Sequence, residues 1–324
     1  MRAALLHEPG GVPVVGSWAD PGPAPGRTLV RVSAAPVVPL DVLAGSGTSY
    51  FGRPATPYVP GVQGVGVVEH STAYDGGARV WFATAAGMAP GDGALAGLCS
   101  VADDDVVLLP GADAVTDAAL AALGLSAVAA WACLAWRAGL RPGERVVVLG
   151  AGGAVGQAGV HAARALGAAR VVAVCRPGPS AERAREAGAD AVVEADGTDE
   201  LTEAVRDAAG GPVDVVLDPV FGPVAEAVSL ALGDHGRLVN LGGATGDRAT
   251  FSSAALRSRS VSLIGHTNNA LTVTQRADAL QAVARLAADG AMAVAHRTLP
   301  LQEVGHAWSE TGAGRAAPRL VLLP

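Results

Sequence analysis

The stretch Val146-Val147-Val148-Leu149-Gly150-Ala151-Gly152-Gly153-Ala154-Val155-Gly156, running on into residues 157–166, decides how this chain is read. A β-branched run ends in a cluster of glycines, and a segment with Ala and Leu at helical spacing follows at once. Strand, tight turn and helix in that order gather backbone N–H groups at the positive end of a helix dipole, which suits a pyrophosphate. The glycines follow G-x-x-G-x-x-G over Gly150, Gly153 and Gly156, with an extra Gly152. Val155 stands where the strict G-x-G-x-x-G pattern has its third glycine. The plain alternative is a Gly-rich turn of any αβ protein. Against it stands a second apolar strand, about 25 residues after the first glycine, where a ribose-contacting position is expected. The expectation is a bound dinucleotide, and with it hydride transfer.

Length and composition bound the rest. At 324 residues the chain is expected to make two domains, and with 50% apolar residues it can bury a large core. A net charge of −7 argues against a nucleic-acid partner. Lysine is absent and every base is Arg or His, which fits a compositional bias of the coding sequence. The first residues, Met1-Arg2-Ala3-Ala4-Leu5-Leu6-His7-Glu8, are too short and too soon charged for a signal peptide, so a cytoplasmic location is expected. No apolar run reaches about 18 residues without charge, so no membrane partner is expected. Residues 118–134 come closest, and their Ala, Gly and Ser fit a helix buried between domains. Cys99, Cys133 and Cys175 lie far apart with no C-x-x-C, so they read as small buried hydrophobes.

Residues 1–118 are rich in Pro and Gly, with short β-type runs at 28–34, 64–69, 78–82 and 105–109. From Asp117 the texture changes. Strand-like runs at 146–149, 171–174, 191–194, 213–218, 237–241 and 260–265 alternate with helical segments such as 180–187, 199–209 and 224–232. Such alternation makes a doubly wound parallel sheet. A helix over 273–289 follows, and residues 297–323 resume the mixed character of the first part. The expected architecture is α/β: a Rossmann sheet inserted into a β-rich domain, divided as 1–118, 119–265 and 266–324.

Several blocks, in order, carry a family resemblance. They are Val32-Ser33-Ala34-Ala35-Pro36-Val37-Val38-Pro39-Leu40-Asp41, Pro57-Tyr58-Val59-Pro60-Gly61-Val62-Gln63-Gly64-Val65-Gly66-Val67-Val68 and Gly76-Gly77-Ala78-Arg79-Val80-Trp81. Ala138-Gly139-Leu140-Arg141-Pro142-Gly143-Glu144, the glycine turn, Leu166-Gly167-Ala168, Gly188-Ala189-Asp190, residues 213–218 and Gly236-Arg237-Leu238-Val239 complete the set. Over nearly its whole length the chain resembles the medium-chain dehydrogenases/reductases of the zinc-independent quinone oxidoreductase type. The resemblance implies a GroES-like substrate domain, a Rossmann domain, and an active site in the cleft between them. It also implies a homodimer, because the strand matching 260–265 often pairs across a two-fold axis in that family.

Zinc-dependent relatives place Cys in the segment matching 35–41 and Gly-His-Glu where this chain has Gly61-Val62-Gln63. His7, His70, His161, His235, His266, His296 and His306 form no H-x-x-H or H-x-x-x-H pair, so no metal is expected. An NAD-type carboxylate is missing after the second strand. Arg176, Ser180 and Arg183 stand there instead, and two guanidiniums with a hydroxyl suit the 2′-phosphate of NADPH. Gly150, Gly152, Gly153, Ala154, Val155, Gly156, Leu241, Gly242, Thr267 and Asn268 complete the expected cofactor site. Tyr50 lies near a tyrosine often carried by the resembling enzymes and is the candidate proton donor; packing under a loop is its alternative. Asp41, Gln63 and Trp131 are the other expected pocket residues, with a hydrogen-bonding role favoured for Asp41. The family's Asn, three positions before that Asp, is Val38 here, so one polar contact is lost.

The expected activity is therefore NADPH-dependent reduction of a quinone or an α,β-unsaturated carbonyl. Without a Lewis acid, a conjugated acceptor spreads the developing charge best. The alternatives are a tailoring reductase or cyclase of secondary metabolism, and a non-catalytic cofactor-binding scaffold.

Overall fold

A computed structural model describes residues 1–315 and 317–324. It divides into two compact units, one formed by Met1–Gly124 with Ala295–Pro324 and the other by Leu125–Val294.

In chain order the first unit begins with strands β1 (Arg2–Leu5), β2 (Val14–Ser17) and β3 (Arg27–Pro36), then helix α1 (Pro39–Ser46). Strands β4 (Gln63–His70), β5 (Arg79–Ala83), β6 (Leu98–Ala102) and β7 (Val106–Leu108) follow, and helix α2 (Asp117–Ala132) leads out. α2 breaks at Gly124 and runs on into a π-turn over Cys133–Arg137. The stretch Asp117–Arg137 is long and apolar enough to cross a membrane, yet 72% of its window is buried inside the protein. That burial is the mark of a core helix.

The second unit alternates β8 (Arg145–Leu149), α3 (Ala154–Ala165), β9 (Arg170–Cys175), α4 (Pro179–Glu186), β10 (Ala191–Glu194) and α5 (Leu201–Ala209). It continues with β11 (Val213–Asp218), α6 (Gly222–Ser229), β12 (Leu232–Asn240), α7 (Ser253–Ser258), β13 (Ser262–Gly265) and α8 (Val273–Ala288). The chain then returns to the first unit with β14 (His296–Pro300), α9 (Val304–Gly312) and β15 (Arg319–Leu323).

The six strands of the second unit are parallel in the order β10-β9-β8-β11-β12-β13. This is the doubly wound order of dinucleotide folds, with the switch in direction between β8 and β11. Both faces are covered by helices, so Val146, Val147, Val148 and Leu149 are all buried, and the strand reads as one apolar run. Arg237 of β12 grips Glu144 with both arms, at 2.7 and 3.0 Å, and its Nε donates to the Ala138 carbonyl at 3.0 Å. That bidentate pair fixes the turn leading into β8.

The first unit holds a seven-stranded sheet, β14-β15-β3-β4-β5-β7, with β6 paired to the N-terminal half of β3. Only β14 and β15 are parallel. β15 pairs with the other end of β3, setting Val321 beside Pro36 and Leu322 beside Ala35. Trp81, Phe82, Leu6 and Leu95 fill the interior of the unit.

The structure moves both expected boundaries. Residues 266–294 belong with the nucleotide unit and not with the C-terminal segment. α8 buries Ala279, Leu280, Val283 and Ala284 there, and His161 of α3 is hydrogen-bonded to the backbone of Ala291 and Ala293. The other boundary falls at the Gly124 break instead of residue 118.

Candidate functional site

The glycine turn closes on itself. Gly153 donates to the Gly150 carbonyl at 2.9 Å, and Ala151 donates to Val174 of β9 at 3.2 Å. Gly153 is also the residue before α3, and no side chain caps that helix. The first helical amide bonded within the turn is Gln157, to Gly153 at 2.9 Å. The N–H groups of Ala154, Val155 and Gly156 therefore lie at a helix start with no acidic neighbour. Two close approaches demand glycine. A Cβ on Gly156 would overlap Ala151 and the Gly150 carbonyl, and one on Gly152 would overlap Ser180.

The second contact is the informative one, because it brings α4 against the turn. Arg183 donates from Nε to the Gly152 carbonyl at 2.9 Å, which holds its guanidinium beside the glycines. Ser180 is hydrogen-bonded to the Cys175 thiol, whose pKa burial pushes up. Arg176 is exposed and makes no hydrogen bond or ion pair among the described residues. Three groups suited to a phosphate dianion thus surround the end of β9, with no carboxylate between Cys175 and Ser180.

The ends of β11 and β12 are tied by a buried carboxylate. Asp218 accepts from the amides of Phe221 (2.7 Å) and Val220 (3.0 Å) and from Asn240 Nδ2 (3.1 Å). Burial pushes its pKa up against these three donors. Asn240 also donates to the Gly242 carbonyl at 2.6 Å, and the Leu241 amide donates to the Asp218 carbonyl at 3.0 Å. Leu241 and Gly242 are thereby fixed at the C-terminal edge of the sheet. After β13, Asn268 bonds the Leu125 carbonyl (3.0 Å) and His266 (3.1 Å), while Thr267 accepts from the Asn269 amide (3.3 Å). These two side chains shape their loop. Trp131 is half-buried on α2.

In the first unit, Asp41 is 2% exposed. It accepts from the amides of Val38 and Val62, each at 2.8 Å. Burial pushes its carboxyl up to about 6, against these amides, the Gly61 amide and the charge of Arg319. Arg319, itself buried and lowered to about 10 by that burial, donates to the Val37 carbonyl at 3.2 Å. Asp41 thus stitches the 35–41 and 61–63 segments together. Gln63 is fully buried and accepts from Trp81 Nε1 at 3.1 Å. The sequence expectation sets both residues in the lining of a substrate pocket, and both are buried. Tyr50 is 80% exposed, with its ring 4.2 Å from that of Phe51.

Among the described residues no three His, Cys, Asp or Glu side chains converge as a metal set. Two concavities stand out. One of about 530 Å³ is bounded by Phe221, Glu226, Asp247, Arg248, Ala249 and Thr250 in the second unit. The other, about 460 Å³, lies wholly in the first unit and includes Phe51, Arg53 and Tyr58 in its wall. Tyr58 enters the sequence analysis only within the block 57–68 of the family resemblance, with no role of its own.

Residues 154–288 match the family described as Zinc-binding dehydrogenase. The chain is 34% identical over 174 residues to a Quinone oxidoreductase of Homo sapiens, covering 52% of this chain and 50% of that protein. It thus spans about half the length of the curated relatives of this kind that it matches. It is 28% identical over 303 residues, 88% of this chain, to a stretch making up 13% of a Mycocerosic acid synthase-like polyketide synthase of Mycolicibacterium smegmatis. Among solved structures, the quinone oxidoreductase from Thermus thermophilus, determined with and without NADPH, superposes with a TM-score of 0.81 at 27% identity, all of both chains being covered.

Proposed function

We propose that this chain is a quinone oxidoreductase-like medium-chain dehydrogenase/reductase, and that it reduces a quinone or an α,β-unsaturated carbonyl with NADPH and without zinc. The observation that carries this reading is the Arg183–Gly152 contact, which sets a guanidinium and the Ser180 hydroxyl against a glycine turn at an uncapped helix start. The NADPH complex of the Thermus relative supports it.

The N–H groups of Ala154, Val155 and Gly156 would hold the pyrophosphate, with Gly150, Gly152 and Gly153 allowing its approach. Arg176, Ser180 and Arg183 would hold the 2′-phosphate. Leu241, Gly242, Thr267 and Asn268 would flank the nicotinamide end. The cofactor, when bound, supplies a hydride. Tyr50 or water would supply the proton that completes reduction of a conjugated acceptor. Val62 and Gln63 in place of a His-Glu pair support chemistry without zinc.

Purified protein with NADPH is expected to reduce naphthoquinones or enones and to leave simple ketones almost untouched, with or without a chelator. Reduction of a simple ketone alone, or loss of activity on chelation, contradicts the reading. If Tyr50 donates the proton, Tyr50→Phe lowers turnover by about 10²-fold, the low end for a positioned acid. Full turnover in that variant returns Tyr50 to packing on Phe51. The polyketide synthase match favours a second reading, in which the acceptor is an enoyl thioester of secondary metabolism. Preference for such a thioester over quinones distinguishes the two.

The proposal includes a homodimer. β13 lies at the edge of the parallel sheet, and its Leu263 is 41% exposed. An apolar edge strand invites pairing. Light scattering at micromolar concentration is expected to give twice the chain mass, and Leu263→Lys to shift it toward the single chain. A monomeric mass in the unmutated protein removes this part.

A further inference from the structure

We propose that His266 is the positioning residue for the nicotinamide end of the cofactor. Its Nε2–H holds the Asn268 carboxamide against the Leu125 carbonyl, and so sets the edge of Thr267 and Asn268 that would flank the ring. This rests on the NADPH reading above and assigns a role to a histidine that stands in no motif. Every group involved belongs to the second unit.

The bonding fixes where the proton sits. Nε2 of His266 lies 3.1 Å from Oδ1 of Asn268, and a carboxamide oxygen can only accept. The imidazole therefore carries a proton on Nε2. Nδ2 of Asn268 donates in turn to the Leu125 carbonyl at 3.0 Å, which settles which way round the carboxamide stands. Burial lowers the His266 pKa and the nearby Arg137 guanidinium adds to that, against the bond to Asn268. The ring is thus neutral at pH 7.5, with one donor and one acceptor.

The place of the ring is fixed from both sides. The His266 amide donates to the Asn240 carbonyl at 2.8 Å, and Asn240 is the residue that ties Asp218 to the Gly242 carbonyl. One position earlier, the Gly265 carbonyl accepts from Arg137 Nη2 at 3.0 Å. His266 therefore joins the two loops proposed to flank the ring, 241–242 through its backbone and 267–268 through its imidazole. The turn that follows closes without it. Asn269 donates to the Thr267 hydroxyl at 3.3 Å, Ala270 to the Thr267 carbonyl at 3.2 Å and Leu271 to the Asn268 carbonyl at 3.1 Å. What the imidazole adds is the direction of one side chain, which is the task of a group that supports a binding site from behind.

The test compares NADPH with adenosine 2′,5′-bisphosphate, which carries the phosphate end without the nicotinamide, by calorimetric titration. The unmutated protein is expected to bind both. His266→Ala is expected to weaken NADPH about threefold to tenfold, the range of one hydrogen bond, and to leave the bisphosphate unchanged. His266→Gln, whose carboxamide N–H can stand where Nε2–H stands, is expected to restore NADPH to within about twofold. Asn268→Ala is expected to repeat the His266→Ala pattern, and the two together to cost no more than either, because one bond is lost in both. Unchanged NADPH binding in His266→Ala overturns the proposal while leaving the cofactor reading in place. An equal loss for both probes overturns it too, since that marks a general loosening of the unit, as does a His266→Gln protein that binds NADPH no better than His266→Ala. If the unmutated protein binds neither probe, the cofactor reading falls and the proposal with it.

Discussion

Asp41→Ala is expected to destabilise the first unit by about 2–5 kcal/mol, the cost of leaving two buried backbone donors without their acceptor. The substitution removes a buried negative charge that favours the charged form of Arg319. It also strands the amides of Val38 and Val62, each of which loses a 2.8 Å bond. Calorimetry at pH 7.5 is expected to show the transition of the first unit falling while that of the second stays in place. An Asp41→Ala protein that melts with the unmutated one defeats this account of the segment.

Arg176→Asp is expected to remove the preference for NADPH over NADH, and to reverse it where the new carboxylate accepts the ribose hydroxyls. A charge-assisted bond to the 2′-phosphate contributes about 1.5–3 kcal/mol, so NADPH affinity falls by about tenfold to a hundredfold. Arg183→Ala is expected to behave differently. Its Nε also holds the Gly152 carbonyl at 2.9 Å, so its loss loosens the turn and weakens both cofactors. Fluorescence titration with the two cofactors separates these patterns. Equal affinity for NADPH and NADH in the unmutated protein removes the assignment.

The nucleotide unit was legible because its central strands β8, β9 and β11 are short, largely buried apolar runs closely followed by glycine or proline. The first unit was harder. β1 and β2 are only 4 residues long, and β14 alternates poorly, being half-exposed along His296–Pro300. Runs of that length carry little period. α1 was missed although Pro39 opens it and the Asp41 carboxylate accepts from the Val38 amide ahead of it. That helix-start pattern was available in the sequence. The partnership with Arg319 was not, because Arg319 and the Val37 carbonyl it bonds are 282 positions apart. The β3–β15 pairing alone brings them together.

That same β3–β15 pairing sets the order in which the molecule is completed during synthesis. Residues 125–294 form an unbroken stretch, so the second unit can close as soon as it has left the ribosome. The first unit, begun earlier, waits for β15 to join β3 and for Arg319 to reach the Asp41 segment. Until then the Ala35–Pro36 end of a ten-residue central strand lacks its neighbour. The half of the protein that is translated first is therefore the half that matures last, and it is the one a nascent-chain binding factor would meet unfinished.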